Sequence, residues 1–121
     1  MRSGGHSWSG SHLRDGTVLI DLSNLRHVAV DREAMTGTAQ PGIKGSELNA
    51  MLAEQNLFFP TGHCTGVSIG GYLLQGGFGW AGRDYGFTQD ATHTLESENA
   101  SFLYQARDGG FRFLGRYDQA R

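Results

Sequence analysis

Glycine is concentrated in two blocks of this chain, and that placement limits the possible folds more than any other feature. The first block is Arg2-Ser3-Gly4-Gly5-His6-Ser7. The second holds Gly62-His63-Cys64-Thr65-Gly66-Val67-Ser68-Ile69-Gly70-Gly71 and runs on through Gly76-Gly77-Phe78-Gly79 to Gly86. Nineteen of the 121 residues are glycine, about twice the usual share of roughly 7%, yet only two are proline. Glycines dispersed among Val, Ile, Leu and aromatics mark turns and close backbone approaches, because Gly accepts most backbone angles cheaply. Such a composition suits a domain that wraps its backbone around a ligand.

The length allows one modest domain with one core. Ten basic against 12 acidic side chains give a net charge of −2. That balance supplies neither the basic face of a nucleic-acid binder nor a polybasic membrane patch. No stretch approaches the ~18 apolar residues of a membrane span. A single cysteine, Cys64, excludes an internal disulfide framework. Residues 1–20 lack the charged start and apolar run of a secretory signal. A reducing, cytoplasmic setting is therefore the default expectation. A dense motif directly after Met1 suggests that the domain begins earlier than this chain does.

Hydrophobic patterning predicts a meander, then a helix. Thr17–Leu22 reads as a short buried strand, followed by turn residues. His27–Asp31 and Met35–Ala39 are two further strands, joined by a turn over Asp31–Ala34, and Pro41-Gly42 closes the meander. A helix is expected over Ser46–Gln55, with Ser46 as N-cap and Glu47 in the first turn. Leu48, Met51 and Leu52 give its apolar stripe, and Asn56 is a suitable stop. Leu57–Phe59 is a short strand and Ser68–Leu74 a short helix flanked by loops. Ala91–Ser101 is polar and featureless, and Phe102–Ala106 is a turn of helix or a strand. This order of elements is an α+β arrangement.

Each glycine block has two readings when taken alone. Gly4 and Gly5 can turn backbone N–H groups inward as an anion nest, with Arg2, Ser3 and Ser7 as further donors for a pyrophosphate. An ordinary Gly-rich turn with an exposed histidine fits them equally well. The second block is not the dinucleotide fingerprint, since no suitable strand precedes it and no acidic residue follows at ~20 positions. It also lacks the Lys-Ser/Thr of a P-loop. It says that backbone meets something flat or phosphorylated, or that glycines pack tightly. Zinc would need paired ligands at short spacing, which one cysteine with His6, His12 and His63 does not provide. Cys64 could be a buried apolar filler, and Trp8, Trp80 and Tyr72 are expected in the core rather than in a site.

The two blocks together carry a more specific resemblance. RSGGHSW, then VLIDLSNL, then TGHCTGVSIGGYLLQGGFGW with Arg83 after it, is similar to the FAD-binding domain of the vanillyl-alcohol-oxidase-type (PCMH-type) flavoproteins. Within that superfamily it most resembles the berberine-bridge-enzyme-like oxidases and their bacterial relatives. The similarity is clear over residues 2–90 and weaker over 98–107. It implies part of a PCMH-type domain: β-meander, one helix and a glycine-rich flavin loop. It further implies FAD attached covalently through His6 to the flavin 8α-methyl, and in doubly attached members also through Cys64 to flavin C6. Gly4, Gly5 and Ser7 would meet the pyrophosphate. Gly66, Val67, Gly70 and Gly71 would follow the isoalloxazine and phosphate path, supported by Gly76, Gly77 and Gly79.

The expected activity is oxidation of an alcohol- or sugar-type small molecule by hydride transfer to flavin N5, with O₂ as acceptor. Three departures from the family pattern bear on this. The subdomain that precedes RSGGH in the family is not in this chain. Gln75 stands where many members have glycine, and only Ala91–Ser97 fills the place of a Val-Val-x-Ala-Asp-Gly hairpin, the next Asp-Gly being Asp108-Gly109. The family's catalytic base generally comes from a substrate domain beyond this stretch, so no catalytic residue is named. A non-catalytic or vestigial flavin module that needs a partner chain is the alternative expectation.

Overall fold

A computed structural model of the chain describes residues 1–88, together with the backbone of two short strands at 110–112 and 115–116. Strand β1 (Val28–Asp31) and strand β2 (Thr36–Ala39) form an antiparallel hairpin with Val28 opposite Ala39 and Asp31 opposite Thr36. Its turn is built by Asp31, whose carboxylate accepts the N–H groups of Glu33 and Ala34 at 3.0 and 2.9 Å. Met35 completes the reversal in the left-handed region, at φ 54°. A third strand, β4 (Gly110–Arg112), adds antiparallel to β2, so the sheet order is β1-β2-β4. Strand β3 (Leu57–Phe58) pairs separately with β5 (Gly115–Arg116).

Helix α1 (Gly45–Ala53) sits between the hairpin and β3. Leu48 and Leu52, four apart on one face, are fully buried, whereas Met51 is 45% exposed. The apolar stripe is thus narrower than the sequence spacing suggests. The start also moves. Lys44 is the N-cap and Ser46 lies inside the first turn, its hydroxyl donating to Thr65 O at 2.8 Å. Glu47 reaches back to accept the Lys44 N–H at 3.4 Å, one half of a capping box. Asn56 ends the segment at φ 56°. Asn49 then ties the helix to the chain that follows it. Its side-chain amide donates to Phe59 O and Thr61 Oγ1, both at 3.0 Å, and its oxygen accepts the Phe59 N–H at 2.9 Å.

Helix α2 (Ile69–Leu74) lays Ile69 and Leu73 on the same core as Leu48, Leu52, Phe59 and Ile43. A single turn, α3 (Gly82–Tyr85), follows it and was not expected from the sequence. Thr88, 1% exposed, closes the described region, because its hydroxyl donates to Pro60 O at 2.6 Å and meets Tyr72 Oη at 3.0 Å.

Two expectations fail. Thr17–Leu22 is not a buried strand: Val18 is 89% exposed, and the segment's pairing is a single parallel bridge between Arg2 and Asp21. Of its apolar residues, Val18 and Leu19 are exposed, Ile20 is half-buried and Leu22 is buried. Trp8 and Trp80 are not core either, being 103% and 81% exposed; Trp80 instead stands edge-on to His63, with ring centres 4.2 Å apart. Readings of Ala91–Ser101 and Phe102–Ala106 lie outside the described residues.

Candidate functional site

The first glycine block is held by its own ends. Arg2 donates its N–H to Ile20 O at 2.9 Å and accepts the Leu22 N–H at 2.7 Å. Its guanidinium Nη2 lies 2.5 Å from Asp21 Oδ2. Hydrogen bonding from Arg2, then from the Ser23 backbone N–H, lowers the Asp21 pKa from 3.8 to about 2. Arg2, expected as a phosphate donor, is therefore engaged as an anchor. Beyond it the chain turns sharply, with Gly5 at φ 64°.

Contacts spaced far apart in sequence bring the second block against the first. The Gly71 N–H donates to Ser3 Oγ at 3.2 Å. A Cβ on Gly4 would stand 2.7 Å from Ser68 Oγ, so the backbone here can approach only without a side chain. The His6 ring lies against Gly66, where an added Cβ would be 3.5 Å from both Cδ2 and Nε2. Cys64, two residues earlier, is exposed, which removes the apolar-filler reading.

The second block is in turn fastened to Pro41-Gly42-Ile43. The N–H groups of Ile69 and Gly70 donate to Ile43 O and Pro41 O at 3.0 and 3.1 Å, and Ser68 Oγ donates to Gly42 O at 3.2 Å. A Cβ on Gly70 would reach to 2.5 Å from Pro41 Cβ. Gly70 is thus glycine because proline packs on it, and its N–H is already used. Gly79 is similarly closed in by the Thr61 carbonyl, while Gly76 and Gly77 take positive φ values of 94° and 67° after α2. Tyr72 packs across this turn, and burial raises the pKa of its hydroxyl.

Between the two blocks lies a cavity of about 590 Å³. That volume is within the ~300–1,000 Å³ usual for small-molecule sites. All of Arg2, Ser3, Gly4, Gly5, His6 and Ser7 line it, as do Val67, Gly70, Gly71 and Gly77. Cys64, Gly66, Gly76 and Gly79 stand outside the lining. Sequence reasoning missed Ser9, Ser11, His12, Pro41 and Ser68, which also face it. Pro41-Gly42 was legible as a turn, but nothing in it indicated that the turn would form a wall.

The chemistry of the wall suits an anionic, partly flat ligand. No Asp or Glu is among the lining residues, and hydroxyls are frequent. Among the described residues, the backbone N–H groups of Gly4, Gly5, His6 and Ser7 make no hydrogen bond within the chain. Adjacent amide donors around a left-handed glycine are the ingredients of an anion nest. A glycine cradle with this donor set fits the diphosphate and ring of a flavin dinucleotide.

Comparison with known proteins agrees with that fit. Residues 1–100 match the family described as FAD binding domain. FAD-linked oxidoreductase nodO of Hypoxylon pulicicidum is 38% identical over 126 residues, covering 93% of this chain and 28% of that protein. Xylooligosaccharide oxidase of Thermothelomyces thermophilus is 31% identical over 128 residues, covering 93% of this chain and 26% of that protein. The structure of berberine bridge enzyme in complex with (S)-reticuline superposes with a TM-score of 0.71 at 38% identity, covering 76% of this chain and 19% of the other. This chain therefore spans less than a third of the length of each. It belongs to the FAD binding domain family and is similar to part of the FAD-linked oxidoreductases and of the berberine-bridge-enzyme-like flavoproteins.

Proposed function

We propose that this chain holds FAD in the cavity between its two glycine blocks, as part of an enzyme that oxidises an alcohol- or sugar-type substrate. The observation that carries this is the loop Gly4–Ser7, whose amide donors are unused among the described residues and which lines a cavity with Val67, Gly71 and Gly77 on its other wall and no described carboxylate in its lining. FAD would supply the redox chemistry, accepting a hydride at N5 from the substrate carbon and passing electrons to O₂. The chain's own residues would bind and orient it. Gly4, Gly5 and Ser7 would hold the diphosphate, and Val67, Gly70 and Gly71 would border the ring system. Gly66, Gly76, Gly77 and Gly79 would keep the backbone clear of it.

His6 and Cys64 are the proposed covalent tethers. A neutral imidazole is a competent nucleophile, and a thiolate is a stronger one. His6 lines the cavity and lies against Gly66, and Cys64 is exposed two positions before Gly66. Sugar oxidation as the substrate class is supported by the likeness to xylooligosaccharide oxidase. No described residue is assigned as the base that takes the substrate proton.

Acid precipitation of the flavin-loaded protein tests the tethers. A yellow pellet is expected, retained in His6→Ala and in Cys64→Ala, and lost when both are replaced. A colourless pellet from the parent protein overturns covalent attachment. Colour kept in Cys64→Ala but lost in His6→Ala assigns a single tether to His6. Anaerobic bleaching of the flavin by an oligosaccharide, reversed on admitting air, checks the substrate class and the acceptor.

A further inference from the structure

The cavity wall contains a basic side chain with no assigned role. His12 is half-buried and lines the cavity with Ser9 and Ser11. It lies inside a tight turn closed by the Leu13 N–H on Gly10 O at 2.8 Å, just after the Ser11 N–H donates to Ser9 Oγ at 3.4 Å. That turn aims the imidazole at Gly5, since a Cβ placed on Gly5 would stand 3.6 Å from His12 Nε2. Gly5 is the left-handed centre of the amide row already described. A ring nitrogen therefore stands beside the loop that carries these amides.

The other basic groups of the wall are committed elsewhere. Among the described residues, Arg2 is the only lysine or arginine side chain lining the cavity, and its Nη2 is on Asp21. His6 lies against Gly66. Among the described residues, neither ring nitrogen of His12 makes a hydrogen bond or ion pair. An imidazole has an N–H to donate in either protonation state. A dinucleotide carries its negative charge on the diphosphate, and donors that meet an ionised oxygen bind more strongly than neutral pairs do.

We propose that His12 is a phosphate-binding residue of this site, donating to the FAD diphosphate beside the Gly5 amide. The assignment rests on FAD occupying the cavity, and it adds a basic side-chain donor to a wall where Arg2 is also paired with Asp21.

The test compares FAD with riboflavin, which has the same ring system and no phosphate. Equilibrium binding is read by flavin fluorescence in the full chain carrying His6→Ala and Cys64→Ala, so that no tether forms. Adding His12→Phe should weaken FAD by about tenfold while riboflavin changes by less than about twofold. His12→Gln, which keeps an N–H donor, should recover FAD affinity to within about threefold of the parent. In the parent, the His12 imidazole NMR signals should shift on adding FAD and stay in place with riboflavin, a readout that needs no His12 variant.

Unchanged FAD affinity in a folded His12→Phe, or an equal loss for riboflavin, overturns the assignment. So do His12 signals that respond to both flavins alike. A parent that binds both flavins equally also overturns it, yet leaves the flavin site standing. A parent that binds neither overturns the cofactor reading and His12 with it.

Discussion

A methyl group at Gly4 would meet Ser68 Oγ at 2.7 Å and Ser68 Cβ at 3.0 Å. Ser68 is buried and bonded to Gly42, so it has little room to give way. Gly4→Ala should therefore force the two glycine blocks apart, lowering stability by about 1–3 kcal/mol. Thermal melting and FAD titration would show both losses together. Asp21 acts on the same block through charge. Its folded pKa is lowered from 3.8 to about 2, so the pairing with Arg2 contributes fully above 3.8 and disappears as pH falls through 2. The melting temperature should thus drop more steeply over that window in the parent than in Asp21→Asn. Equal slopes would show that the ion pair adds nothing. Each exposed partner is well hydrated, so a modest effect is expected.

At the level of elements, α1 is organised by two different devices. Leu48 and Leu52 bury its face, and either one changed to alanine should cost about 2–5 kcal/mol in denaturant unfolding. Asn49 sets where the following chain lies, with three hydrogen bonds to Phe59 and Thr61. Asn49→Ala should cost about 1–3 kcal/mol and, unlike the leucine changes, loosen the wall that begins at Thr61. Hydrogen exchange at residues 59–62 would separate the two effects. The helix and the β1-β2 hairpin were readable in advance because their signals are local: apolar spacing, a turn aspartate and an asparagine stop. Thr17–Leu22 misled because apolar content alone does not say whether a second layer will cover a segment. Strand β4 was invisible because its partner, β2, lies some seventy positions earlier, Thr36 pairing with Arg112.

For the site, both glycine blocks could be read as places of close backbone approach. What they approach could not be read. Gly70 serves Pro41 and Gly79 serves Thr61, while Gly4 serves Ser68, and no periodicity links these pairs. His12 was weighed only as a metal ligand, because a Gly/Ser loop has no face on which to place it.

For the whole molecule, ligand and stability should be coupled. A cavity walled by segments from both ends of the described region favours the folded state whenever FAD occupies it. At a hundred times its dissociation constant, FAD should add about 2.7 kcal/mol to the unfolding free energy of a tether-free variant. A melting temperature that does not move with FAD concentration would contradict this. The bond from Gly71 N–H to Ser3 Oγ also spans 68 positions. During synthesis, the amino-terminal wall emerges first and must wait for Gly71 to leave the ribosome before its partner wall exists. Contacts this distant close late. Flavin loading then belongs after Gly71 has emerged, and a ribosome stalled before residue 71 should present a nascent chain that does not retain FAD.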